Sequence, residues 1–104
     1  MPSYLIERAV GDVTREQLDE VVERATRVRE EHFPDIAWLH THVVRTESGL
    51  TAYCVYEAAD PDRIRQHADA IGLPAQAVYE IEAELAPPPA AQQSTGAEPP
   101  PADR

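Results

Sequence analysis

Ala37-Trp38-Leu39-His40-Thr41-His42-Val43-Val44 and, beyond the punctuation Glu47-Ser48-Gly49, Ala52-Tyr53-Cys54-Val55-Tyr56-Glu57-Ala58 form the stretch whose reading decides the fold. Both runs are rich in β-branched and aromatic residues and are bounded by turn formers, so they predict two strands joined as an antiparallel hairpin. Side chains alternate across a strand, which assigns Trp38, His40, His42 and Val44 to one face and Leu39, Thr41 and Val43 to the other. Two imidazoles then stand side by side. Their Cα atoms are roughly 6.5 to 7 Å apart in an extended chain, a spacing from which both rings reach one ion when their rotamers converge. The same pattern is met by two polar residues on a half-exposed strand.

The pairing of the hairpin is open at the level of sequence. A two-residue turn at Ser48-Gly49 sets His42 opposite Val55 and His40 opposite Glu57, with Leu39, Thr41, Val43, Ala52, Cys54 and Tyr56 on the other face. A three-residue turn sets His42 opposite Cys54 and His40 opposite Tyr56. A slip of one residue exchanges the faces completely. The first register is preferred, because it separates small and apolar side chains from the titratable ones.

Outward from the hairpin, Tyr4-Leu5-Ile6-Glu7-Arg8-Ala9 reads as a first strand ended by Gly11-Asp12. Thr14-Arg15-Glu16-Gln17 is a capping box, and Leu18, Val21, Val22, Ala25 and Val28 follow at the spacing of one buried helical face. Glu20 with Arg24 and Glu23 with Arg27 sit four apart in the favourable order and describe a solvated outer face. Pro34 stops this helix, and His32 in its last turn suits the negative end of the dipole better than a metal. Asp60-Pro61 opens a second helix with Asp as cap and Pro at the first helical position. Ile64, His67, Ala68 and Ile71 make its buried stripe, so His67 is expected to point toward the sheet, and Gly72 followed by Pro74 ends it. Val78 to Leu85 alternates as a last strand with one acidic face.

The order β-α-β-β-α-β predicts an α+β, ferredoxin-like domain: a four-stranded antiparallel sheet with two helices on one face. The helix-free face would carry Trp38, Val44, Tyr53 and Val55, an apolar patch whose economical cover is a second copy of the chain, so a homodimer is expected.

Composition bounds the rest. Of the 104 residues, 1–86 are assigned to the domain and 87–104 to a disordered Pro-rich tail, since the segment from Pro87-Pro88-Pro89 to Arg104 holds almost no large apolar side chain. The formal net charge is −10 and every basic residue is Arg. That balance repels phosphate, arguing against nucleic acid or an anionic membrane as partner, and favours a divalent metal ion. A lone cysteine, Cys54, forms no intramolecular disulfide and fits a reducing compartment. With no leader pattern at Met1-Pro2-Ser3 and no run of ~18 apolar residues, the chain reads as soluble and cytoplasmic.

The combination of Trp38-Leu39-His40-Thr41-His42-Val43, Tyr53-Cys54-Val55-Tyr56-Glu57-Ala58, Ile64-Arg65-Gln66-His67-Ala68 and Gly72-Leu73-Pro74-Ala75 resembles a bacterial family, common in actinomycetes, of small ferredoxin-like nickel-binding proteins. The likeness runs from about Tyr4-Leu5-Ile6-Glu7-Arg8 to Tyr79-Glu80-Ile81. It implies a dimer of ferredoxin-like domains that binds Ni²⁺. One departure stands out: Thr41-His42 replaces the Ser-Tyr of the family pattern, adding an imidazole.

Imidazole suits nickel, copper and zinc, and carboxylates complete octahedral shells, so His40, His42 and Glu57 form the candidate ligand set. Glu7, Glu80 and Glu82 join it if their strands present them on the same side. In the alternative register Cys54 joins the histidines, and a thiolate shifts the preference toward zinc or copper. No Cys-x-x-Cys or His-Glu-x-x-His occurs, which argues against a closed structural zinc. The competing reading is a cofactor-free enzyme or small-ligand-binding dimeric α/β-barrel protein using a cavity near His67 and Tyr56, also lined by Trp38 and Cys54. There His67 beside Tyr56 or Glu57 would form an acid/base pair. No phosphate loop, dinucleotide fingerprint or nucleophile-base-orienter set is found.

Overall fold

Both helices begin and end where local chemistry dictates. Thr14 Oγ1 accepts from the Gln17 N–H at 3.1 Å while the Gln17 side chain accepts from the Thr14 N–H at 2.9 Å, and α1 runs over Arg15–His32. The reciprocal bonds satisfy two of the donors that a helix start leaves orphaned. Asp60 caps α2, Pro61–Ile71, by accepting from the Arg63 N–H at 3.0 Å. Gly72 ends α2 in the left-handed conformation, φ +71°, returning its N–H to the last carbonyls.

The computed structural model describes residues 1–88. Four strands, β1 (Ser3–Gly11), β2 (Ala37–Thr46), β3 (Gly49–Glu57) and β4 (Ala77–Glu80), make one antiparallel sheet in the order β2-β3-β1-β4. This is the ferredoxin-like α+β fold that the element order predicts. Tyr4, Ile6, Ala52, Cys54 and Tyr56 from the sheet meet Phe33, Ile36 and Ile64 in the core, and Ile6, Ile36 and Ile64 are almost wholly shielded. Burial of an aliphatic side chain of that size contributes about 1.5–3 kcal/mol. Arg24 Nη2 donates to the Ile71 carbonyl at 2.6 Å and so ties α1 to the end of α2. Arg63 grips both Asp35 oxygens at 2.8 Å and lies over the Phe33 ring, fixing the start of α2 to the loop after α1.

Three expectations are corrected. The hairpin turn is Glu47-Ser48, with Thr46 paired to Gly49, so neither register foreseen from the sequence is formed. Gly49 belongs to β3 because it crosses the Gly11 backbone at φ +109°, where a Cβ would lie 2.4 Å from the Gly11 carbonyl group. Second, β2 carries a bulge: Trp38 pairs with Tyr56 and His40 with Val55, leaving Leu39 as the extra residue. Third, the last strand ends at Glu80 instead of Leu85. Its partner β1 starts at Ser3, whose carbonyl takes the Ile81 N–H, and Pro2 before it has no N–H to extend the ladder. The tail expected from Pro87 lies, apart from Pro87 and Pro88, outside the described residues. No helix among the described residues is long and apolar enough to cross a membrane.

Candidate metal centre

The register decides which side chains meet. In an antiparallel pair, residues directly opposite share a face. With His42 opposite Tyr53 and His40 opposite Val55, the helix-free face carries His40, His42, Val44, Tyr53, Val55 and Glu57. From β1 it receives Leu5, which pairs with Val55, and Glu7, which pairs with Tyr53. The two imidazole centroids lie 5.4 Å apart with their planes inclined at 73°, and both residues are exposed.

That separation fits a shared ion. With a metal–nitrogen bond of about 2.1 Å, two imidazoles on one metal hold their centres roughly 4.5 to 6.4 Å apart as the angle at the metal opens from 90° to 180°. Glu57 sits half-buried on the same face, but diagonal to His40 instead of opposite it as the preferred register had it, a relationship that puts Cβ atoms about 7–8 Å apart. Glu7 lies across Tyr53 from His42, a second strand away. Glu80 pairs with Tyr4 and therefore takes the opposite face, while Glu82 follows the end of β4. Among the described residues no three His, Cys, Asp or Glu side chains converge closely enough to enclose a metal. The chain thus offers a two-nitrogen platform, open to water, a carboxylate or a second protein surface.

Cys54 is not brought to the histidines. It pairs with Thr41, faces the helices and is buried, so the register that would have joined its sulfur to His42 is not the one formed. Trp38 also leaves the histidine face. The bulge at Leu39 turns it toward Tyr56 on the helix side, where its indole Nε1 donates to Thr41 Oγ1 at 2.8 Å.

Trp38, Thr41, Cys54 and Tyr56 line a cavity of about 420 Å³ between α1 and the sheet, together with Arg8, Arg29 and apolar residues of α1. His67, expected beside Tyr56, does pack against it, with ring centroids 5.8 Å apart, but it is wholly buried behind that ring, against Phe33, and does not line the cavity. Neither of its nitrogens has a hydrogen-bond partner among the described residues. Burial pushes its pKa down, partly opposed by the nearby Ala25 carbonyl, and the arginines Arg8, Arg29 and Arg63 push the same way as burial. The Tyr56 hydroxyl is raised, mainly by burial, so it stays a phenol at neutral pH. His67 and Tyr56 make no hydrogen bond, so the acid/base pair imagined from sequence is not assembled. Glu57 lies on the far face of the sheet.

Sequence reasoning missed Arg8. Its side chain is nearly wholly buried on the helix face, although the alternation Tyr4, Ile6, Arg8 was visible and placed a cation on the core side of β1.

A family model described as nickel responsive protein, SCO4226-like, matches residues 4–81. The crystal structure of SCO4226 from Streptomyces coelicolor A3(2) superposes with a TM-score of 0.66 at 17% sequence identity, covering 80% of this chain and 99% of that one. No curated protein matches the chain.

Proposed function

The chain belongs to the SCO4226-like family of nickel responsive proteins, and from that premise we propose that it is a small divalent-metal-binding protein of nickel type, with the ion held on the helix-free face by His40 and His42. The observation that carries this reading is the paired imidazoles, 5.4 Å apart and exposed on the edge strand β2. Strands hold a pair of ligands more precisely than loops do, and a preset pair loses less entropy on binding. The chain's net charge of −10 raises the local concentration of cations. Imidazole nitrogen suits Ni²⁺ and also Zn²⁺ and Cu²⁺, and nickel is preferred here on the family's description.

Two nitrogens leave an octahedral ion with open positions. In the isolated chain water would fill them, and Glu57, diagonal to His40 on the same face, would be the side chain best placed to add a ligand. Val44 is exposed beside the histidines and Tyr79 at the far edge of the same face, with the half-buried Leu5 and Tyr53 between them, so we further read the face as the contact of a homodimer. A dimer closing over this face would bring two histidine pairs toward each other. We read the protein as cytoplasmic, a reading supported by its lone, buried and unpaired Cys54.

Titration calorimetry of tag-free protein with NiCl₂ tests the reading. Saturable binding that disappears in the His40→Ala, His42→Ala double variant supports it. Unchanged binding in that variant, or none in the parent, overturns it. Sedimentation of the parent with and without nickel tests the dimer separately.

A further inference from the structure

We propose that the cavity between α1 and the sheet is a second site, for a small organic monocarboxylate whose apolar body lies under α1 and whose carboxylate meets the Arg8 guanidinium. The site is independent of the nickel reading and lies on the opposite face of the sheet from His40 and His42.

The argument starts from Arg8. Its side chain is 2% exposed, its Nη1 donates to the Pro74 carbonyl at 3.2 Å, and its Nη2 is buried without an acceptor among the described residues. A buried cation with an unpaired donor is costly, and arginine is rarely kept so deep unless an anion or acceptor meets it. Arg8 also lines the cavity of about 420 Å³, inside the size range of small-molecule sites.

The charge around the cavity has the sign an anion needs. Of the chain's nine basic residues, Arg8, Arg15 and Arg29 line it, against the single acid Asp19, which Arg15 already holds at 2.8 Å. Arg29 commits its Nη1 to the Ile36 carbonyl. In a chain of net charge −10 this is a local reversal. The remaining wall is largely Leu18, Val22, Ala25, Val43, Ala52 and Leu73, which suits a hydrocarbon body. Beside Arg8, whose Cζ lies 5.8 Å from the ring centre, Tyr56 brings a neutral phenol to the same cavity. The unpartnered Arg8 Nη2, with its two N–H, and the Tyr56 hydroxyl suit the two oxygens of a carboxylate, whereas a phosphate dianion calls for more donors. Exposed Trp38 and Val43 place the mouth on the β2 side.

Calorimetry of the full chain with phenylacetate and hexanoate, and with the uncharged phenylacetamide and hexanamide, tests this. At least one acid should bind saturably and its amide about tenfold more weakly or worse. Arg8→Met should weaken the acid by a similar factor, leave the amide unchanged and leave nickel binding intact. Val22→Phe, which fills the cavity from α1 and keeps the arginine, should abolish acid binding, and it decides the matter should Arg8→Met not fold. Equal affinity for acid and amide overturns the carboxylate. Binding that survives Val22→Phe overturns the location, and failure of both acids to saturate by about 10 mM overturns the site.

Discussion

The indole Nε1 of Trp38 donates to Thr41 Oγ1 at 2.8 Å, a bond between two residues that strict strand alternation would put on opposite faces. The extra residue Leu39 makes it possible. One bulge therefore clears the tryptophan from beside His40, leaving the imidazole pair open, and sets it at the mouth of the helix–sheet cavity.

Thr41→Val keeps the shape and removes the acceptor. The indole is partly exposed and water replaces some of the lost bond, so the expected cost is at the low end for a hydrogen bond, about 0.5 kcal/mol. Urea unfolding followed by tryptophan emission measures it. An unchanged midpoint would mean that the bond contributes nothing to holding the bulge.

The helices were legible because their signals are local. Thr14 and Gln17 cap within one turn, and Asp60-Pro61 and Gly72 punctuate α2 with residues whose backbone preferences need no distant partner. The sheet's register was not, because it depends on Gly49 meeting Gly11, residues of two different strands. From sequence alone Gly49 looks like an ordinary turn residue. Leu39 likewise carries no mark of a bulge. The histidine pair survived both errors: the formed register differs from the preferred one by an even step, which keeps His40, His42, Val55 and Glu57 on one face. Cys54 entered the ligand set only through the odd-step alternative, and the structure buries it on the other side.

Gly49→Ala tests the crossing. The new Cβ would lie 2.4 Å from backbone atoms of Gly11, at a φ of +109° that L-residues rarely adopt. Backbone cannot step aside as a flexible side chain does, so a loss of about 2 kcal/mol or more is expected. Thermal unfolding reads the loss. Gly72→Ala is the companion variant, since a Cβ there meets nothing within 4 Å and only the left-handed backbone of the cap opposes it. Its smaller penalty, about 1 kcal/mol, isolates the steric part of the Gly49 effect.

The two faces of the sheet make separable predictions for metal. Cys54→Ser alters a buried side chain opposite Thr41 and should leave the nickel isotherm unchanged, while His42→Ala should weaken binding by at least tenfold, or about 1.4 kcal/mol. Proton and metal compete for the same imidazole nitrogen, so affinity should also fall in acid. A thiolate-to-metal absorption band that vanishes in Cys54→Ser would contradict the placement of Cys54 away from the ion.

His67 should make stability depend on pH in weakly acid solution. Burial among Phe33 and Tyr56 holds its folded pKa below the ordinary 6.5, so between the two values the unfolded chain takes up a proton that the folded chain refuses. Stability is then complete above about pH 6.5 and declines as pH falls toward the folded value. Asp35 acts in the same direction but lower: the Arg63 side chain holds its carboxyl below the ordinary 3.8, and its contribution is lost only under strongly acid conditions. His67→Leu removes the first window and leaves the second. It also deletes two buried nitrogens that have no partner among the described residues, so a gain in stability on the order of 1 kcal/mol at neutral pH is expected, and a larger one at pH 5. Urea midpoints from pH 5 to 8 for the parent and His67→Leu decide it. Parallel profiles would show that His67 takes up no proton on unfolding, and a slope that persists in the variant would have to come from another titrating group.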